Sequence, residues 1–145
     1  MSGITDPTEE YFKDGTWGWD GSRWRKLGLL LGYNDVISGS VDVTAQQDGI
    51  NSVSSSSVQD GELWVLNNIA GTNANRAIPR IIICAEVCDV LCVLLDTSTT
   101  SDGVWAVWNG TTVLKASNRI MVYFYGCTAG DTLRIRWLGY KVKLE

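Results

Sequence analysis

Histidine is absent from this 145-residue chain. That removes the commonest general base, and with it Ser-His-Asp and Cys-His catalysis. Proline is scarce, with only Pro7 and Pro79, and charged residues make up 19% of the chain. The net charge is −4, and the densest basic group, Arg23, Arg25 and Lys26, has Asp14 and Asp20 nearby. A nucleic-acid binder needs a basic stripe against the phosphates, and none is visible, so no nucleic-acid partner is expected. The first ten residues, M-S-G-I-T-D-P-T-E-E, carry neither a basic start nor an apolar stretch of the secretory kind. The longest apolar run, residues 81–95, is interrupted by Glu86 and Asp89 and is too short to span a bilayer. The expectation is synthesis in a cytoplasm with no membrane partner.

What is plentiful is Gly, Ser, Thr, Val and Trp, the balance of an all-β protein with many turns. Chains of this length bury ~70% of their unfolded surface, enough for one core without staples. Residues 36–44, V-I-S-G-S-V-D-V-T, end in alternation, with Val41 and Val43 opposed to Asp42 and Thr44. The stretch Q-Q-D-G-I-N-S-V-S-S-S-S-V-Q-D-G reads as a low-complexity loop. Beyond it, apolar runs between turn signals predict strands at 62–69, 78–84, 90–95, 103–108, 111–115, 118–125 and 131–144. With 36–44 these make eight, the jelly-roll number. The predicted fold is an all-β, jelly-roll-like antiparallel β-sandwich over 36–145, preceded by an arm and a Trp-rich hairpin in 1–35.

Three local features carry expectations of their own. In 131–144, the apolar set changes parity after Gly139, from Leu133, Ile135 and Trp137 to Tyr140, Val142 and Leu144; a β-bulge near Leu138-Gly139 would restore one inward face. Residues 81–95 read as two strands turning at about Glu86 to Asp89, because Ile and Val dominate; one buried helix is the alternative, and the turn lacks Gly. Asn109-Gly110, between two β-rich runs, reads as a hairpin turn, as do the Asp-Gly pairs at 14, 20, 48, 60 and 102.

Chemistry-bearing residues are few. Cys84, Cys88 and Cys92 recur at four-residue intervals, and Cys127 stands alone. Without histidine, and in apolar sequence, they read as core thiols rather than as a metal site or a disulfide. Hydrolysis by two carboxylates would draw on Asp42, Asp48, Asp60, Asp89, Asp96, Asp102 and Asp131, but Asp at turns commonly serves backbone geometry. Phosphate loops and EF-hand patterns are missing. The chain is therefore read as non-enzymatic, with no cofactor and no metal.

An apolar surplus points elsewhere. In I-M-V-Y-F-Y-G, Ile120, Val122 and Phe124 point one way and Met121, Tyr123 and Tyr125 the other, so neither face is polar. A sandwich strand needs one apolar face, and the second must be covered by another layer or another subunit. Residues 16–27, T-W-G-W-D-G-S-R-W-R-K-L, hold three of the seven tryptophans. A two-residue turn at Asp20-Gly21 would set Trp19 opposite Ser22 and Trp17 opposite Trp24. Trp17, Trp19 and Trp24 would then share one face, with Arg23 and Arg25 on the other. A lone hairpin is marginal in water, so this face is expected to dock on protein.

Two stretches carry a resemblance. V-W-N-G-T-T-V-L-K-A-S-N-R-I-M-V-Y-F-Y-G-C-T-A-G-D-T-L-R-I-R-W-L-G-Y-K-V resembles the closing strands of small jelly-roll virion proteins of tailed bacteriophages. W-x-W-D-G-x-x-W-x-x-L resembles short tryptophan-rich modules near the N-termini of phage structural proteins. Together they cover roughly half the chain. The resemblance implies a virion structural protein assembled in the host cytoplasm, most specifically a capsid decoration protein. Its partners would be its own copies, as a homotrimer, and the major capsid protein or other virion subunits. Residues 1–35 would then meet the neighbour, through Tyr11, Phe12, Trp17, Trp19, Arg23, Trp24, Arg25 and Tyr33. The rival reading is a receptor- or glycan-binding module of a tail or baseplate.

Overall fold

The computed structural model describes residues 35–144 and, before them, only the backbone of two short strands, β1 (Trp17–Trp19) and β2 (Trp24–Lys26). Eight further strands follow: β3 (Asp35–Thr44), β4 (Gly49–Ser54), β5 (Glu62–Asn73), β6 (Ile81–Val87), β7 (Val90–Thr97), β8 (Ala106–Leu114), β9 (Arg119–Cys127) and β10 (Thr132–Lys143). They form two four-stranded antiparallel sheets, ordered β3-β10-β5-β8 and β4-β9-β6-β7. Consecutive strands repeatedly swap sheets, and the last strand returns beside the first of the eight. That wrapping of two Greek keys defines a jelly roll, as expected.

The two sheets enclose the core through the inward residues of each. Leu66, Ile69, Leu114, Leu133 and Ile135 come from one sheet and Ile81, Ile83, Ile120, Val122 and Phe124 from the other, all fully buried. Each such side chain contributes about 1.5–3 kcal/mol on burial. Gly71 lets the layers close, since a Cβ there would lie 2.8 Å from Ile81 Cδ1 and 3.2 Å from Phe124 Cζ.

The count of eight holds, but two of the strands are not those expected. Residues 49–54, which the low-complexity sequence predicts as loop, form β4, because Val53 is buried and its edge position needs backbone pairing on one side only. The expected pair 103–108 and 111–115 is one strand, β8, running straight through Asn109-Gly110. Asn68 pairs with Asn109 and Leu66 with Thr112, so Gly110 and Thr111 face only Asn67: a bulge, not a turn. Gly110 is needed there because a Cβ would meet the Trp108 indole at 2.6 Å.

The register between β10 and β5 slips between Leu138 and Gly139, at the place the parity change marked. The extra residue is Asn67 of β5, however, while β10 pairs with β3 without interruption. It is therefore β5 that changes parity, with Leu66 and Ile69 both inward. Tyr140, Val142 and Leu144 stay on the face opposite Leu133, Ile135 and Trp137, and the expected resetting of β10 does not occur. Gly139 is the consequence: a Cβ there would run into the Val65 carbonyl oxygen and lie 2.9 Å from Leu66 Cα.

Residues 81–97 are a hairpin rather than a helix. Its turn is Cys88-Asp89, both at positive φ (51° and 64°). Two left-handed central residues make a type I′ turn, whose twist suits a two-residue hairpin. The glycine that the sequence lacks is replaced by two strained residues.

Candidate interaction surface

The residues singled out in the N-terminal segment fall largely beyond what the structure describes. Tyr11, Phe12, Arg23 and Tyr33 lie outside the described residues, and Trp17, Trp19, Trp24 and Arg25 are described only in backbone pairing. That pairing corrects the expected register. Trp19 pairs with Trp24, Gly18 with Arg25 and Trp17 with Lys26, so four residues separate the strands instead of two.

Within the jelly roll, the best-built polar cluster surrounds Asp131, where β9 passes into β10. Its carboxylate accepts hydrogen bonds from Arg76 Nε (2.6 Å) and Nη2 (3.1 Å), Asn73 Nδ2 (3.0 Å) and the Thr128 amide (2.9 Å). The Arg76 bond chiefly holds the carboxyl at about 2, against the opposing effect of its burial. A group so firmly ionised ties the end of β5 and the loop after it (74–80) to the loop between β9 and β10 (128–131), and is a poor proton donor. The pairs Arg80–Asp96 (2.7 Å) and Arg119–Glu86 (3.3 Å) brace neighbouring strands on the other sheet. Among the described residues, no cluster of three His, Cys, Asp or Glu side chains could hold a metal ion.

The cysteines divide. Cys84 and Cys127 are buried free thiols, and burial pushes both up from their ordinary acidity. Cys88 and Cys92, expected in the core, are exposed free thiols, because Cys88 forms the hairpin turn and Cys92 lies on the exposed edge strand β7.

The apolar surplus also sits elsewhere than expected. On β9 the second face is mostly covered: Met121 is buried, Tyr123 and Tyr125 are half-buried, and the Arg80 guanidinium lies 5.2 Å over the Tyr125 ring. Two other surfaces are open. One is a row running straight across the first sheet, where Val36, Tyr140, Val65 and Val113 are register partners. The second is β7, where Val90, Leu91, Cys92 and Val93 are exposed one after another, Val90 and Val93 at 61% and 60%. Alternating residues point to opposite faces, so four exposed in succession leave neither face covered. No charge or alternation in V-L-C-V-L-L distinguishes it from a core strand, and so the sequence reading missed it.

A shallow hollow of about 540 Å³ opens on the first sheet, lined by Ser38, Gly39, Ser40, Asn68, Arg136, Trp137 and Leu138. Beside it the Arg136 guanidinium stacks 4.7 Å over the Trp105 ring.

Strand order and core define the class: an eight-stranded jelly-roll β-sandwich with an apolar edge left uncovered among the described residues. No family model matches the chain, and no curated protein matches it. Among solved structures it is similar to a Bacillus endospore appendage, one of a family of disulfide-linked pili: 10% identity, 77% of this chain, 88% of that one, TM-score 0.44. The Drosophila NLP core, studied for pentamer formation and histone binding, matches at 17% identity, 74% and 99% coverage and TM-score 0.38. A protein of infectious bursal disease virus, Gt strain, matches at 8% identity, 88% and 46% coverage and TM-score 0.29. These likenesses are too slight to carry function, and the fold stands on its own strand order.

Proposed function

We propose that the chain is a non-enzymatic structural subunit of a virus particle, a capsid decoration protein of a tailed bacteriophage that assembles as a homo-oligomer, a trimer by the resemblance. The observation that carries this reading is the uncovered apolar surface on a jelly roll whose own core is complete. Contiguous exposed apolar surface of that kind marks a protein interaction site. A subunit that binds only the assembled shell stabilises it by mass action and needs no chemistry of its own. Residues 1–35 supply the attachment element, with aromatic side chains that bury large area when they dock.

Cryo-EM of purified particles tests this directly. Many copies spread over the head are expected; a few copies confined to the tail overturn decoration. The hollow beside Trp105 and Arg136 favours a second reading, a glycan-binding module, since serine, asparagine and an indole suit sugar hydroxyls and ring faces. Specific binding on a glycan array, lost with Trp105→Ala, supports that alternative.

A further inference from the structure

We propose that β7 pairs edge to edge and antiparallel with β7 of a second copy, about a two-fold axis at Cys92. The proposal deepens the self-association reading above by naming its surface.

The backbone specifies the kind of occupant. Among the described residues β7 has one neighbour, β6, so the outer row of its N–H and C=O groups faces away from the sheet. Sheet proteins usually blunt such an edge with lysine, proline, a bulge or a short strand. β7 runs for eight residues without lysine or proline, and its one charge, Asp96, is held by Arg80. Its irregularity, where Leu94 is left unpaired against β6, lies beyond the exposed run. Residues 90–93 are left as a flat, neutral template for another strand.

Side chains specify which strand. The other free edges do not match an apolar partner: β4 reads G-I-N-S-V-S, β3 carries Asp35, Asp42 and serines, and β8 is bulged at Gly110-Thr111. β7 itself is apolar on both faces and matches its own copy. A two-fold antiparallel pair must set some residue opposite itself. Centring on Cys92 places Leu91 opposite the copy's Val93 and Val90 opposite its Leu94. Centring on Leu91 would overlap only residues 90–92 of the two strands, and centring on Val93 would set charged Asp96 against Val90. In that register residues 90–94 of each copy overlap, a span of ~17 Å. Across two sheets ~10 Å apart plus side chains, the flank offers roughly 400 Å² per copy, the size of a weak, reversible contact. Val104 and Val107, exposed near and on the adjoining edge strand β8, extend the apolar flank.

A contact of this kind joins copies in pairs, so a trimer built on another surface would be coupled by it to a second trimer. The test uses the full chain with Cys88→Ser, since Cys84 and Cys127 are buried. A short bismaleimide should link Cys92 to Cys92 of the copy, giving a band of twice 15.9 kDa on a reducing gel. Sedimentation equilibrium should show an even-order oligomer, halved in order by Val93→Lys while far-UV circular dichroism stays unchanged. An oligomer that survives Val93→Lys, or an odd-order one without the Cys92 cross-link, overturns this contact and leaves self-association standing. A monomer at tens of micromolar overturns both. Should Val93→Lys fail to fold, the cross-link in the Cys88→Ser chain decides alone, and its absence overturns the contact.

Discussion

Substituting Asp131 by Asn removes a charge from the corner where β9 passes into β10. The side chain is 5% exposed, and four hydrogen bonds from Arg76, Asn73 and Thr128 converge on its two oxygens. Together they hold the carboxyl at about 2 instead of 3.8. At about 1.4 kcal/mol per tenfold change in proton affinity, that difference stabilises the folded chain by ~2.5 kcal/mol. The sign follows from the direction. The folded value lies below the unfolded one, so the contribution is complete above about pH 4–5 and is lost as pH falls through about 2. The substituted amide cannot carry the charge, and its nitrogen would face donors, so Asp131→Asn should cost ~2–4 kcal/mol at pH 7. Near ~3 °C per kcal/mol for a chain of this size, the midpoint falls by roughly 6–12 °C. Thermal unfolding by circular dichroism at pH 7 and pH 2 measures it, and the gap between the two proteins should narrow at pH 2. A variant within ~1 °C of the parent at pH 7, or a gap unchanged between the two pH values, refutes the reasoning. Asp96→Asn is the control: its pair with Arg80 is exposed on both sides, and stability should barely move.

Two further substitutions test the backbone. Cys88→Asn with Asp89→Gly gives the type I′ turn the residues that tolerate positive φ, and relief of left-handed strain at 51° and 64° should outweigh the flexibility of glycine. A gain of ~1 kcal/mol in denaturant unfolding is expected, and a loss would mean the turn is of another type. Gly139→Ala forces a methyl onto the β5 backbone at its bulge and should cost ~2–3 kcal/mol in the same assay. A neutral result would show that β5 can move away.

Much of the fold was legible because burial writes itself into alternation. Val41 and Val43 against Asp42 and Thr44, or Leu133, Ile135 and Trp137 against Arg134 and Arg136, could only be half-buried strands. Turn chemistry was legible where glycine takes the positive φ, as at Gly49, Gly61 and Gly103. It misled at Asn109-Gly110, where the same dipeptide serves a bulge. It was silent at Cys88-Asp89, where pairing of β6 with β7 holds a turn that has neither the usual asparagine nor a glycine. The surplus of apolar side chains was visible in composition, but its place was not. An apolar strand reads alike at the centre of a sheet and at its edge. Local sequence determined that these residues extend, alternate and turn, because those choices rest on φ, ψ and side-chain period. Which strand ends a sheet depends on partners far away in the chain, and so only the tertiary structure decided that β7 is left with an open edge.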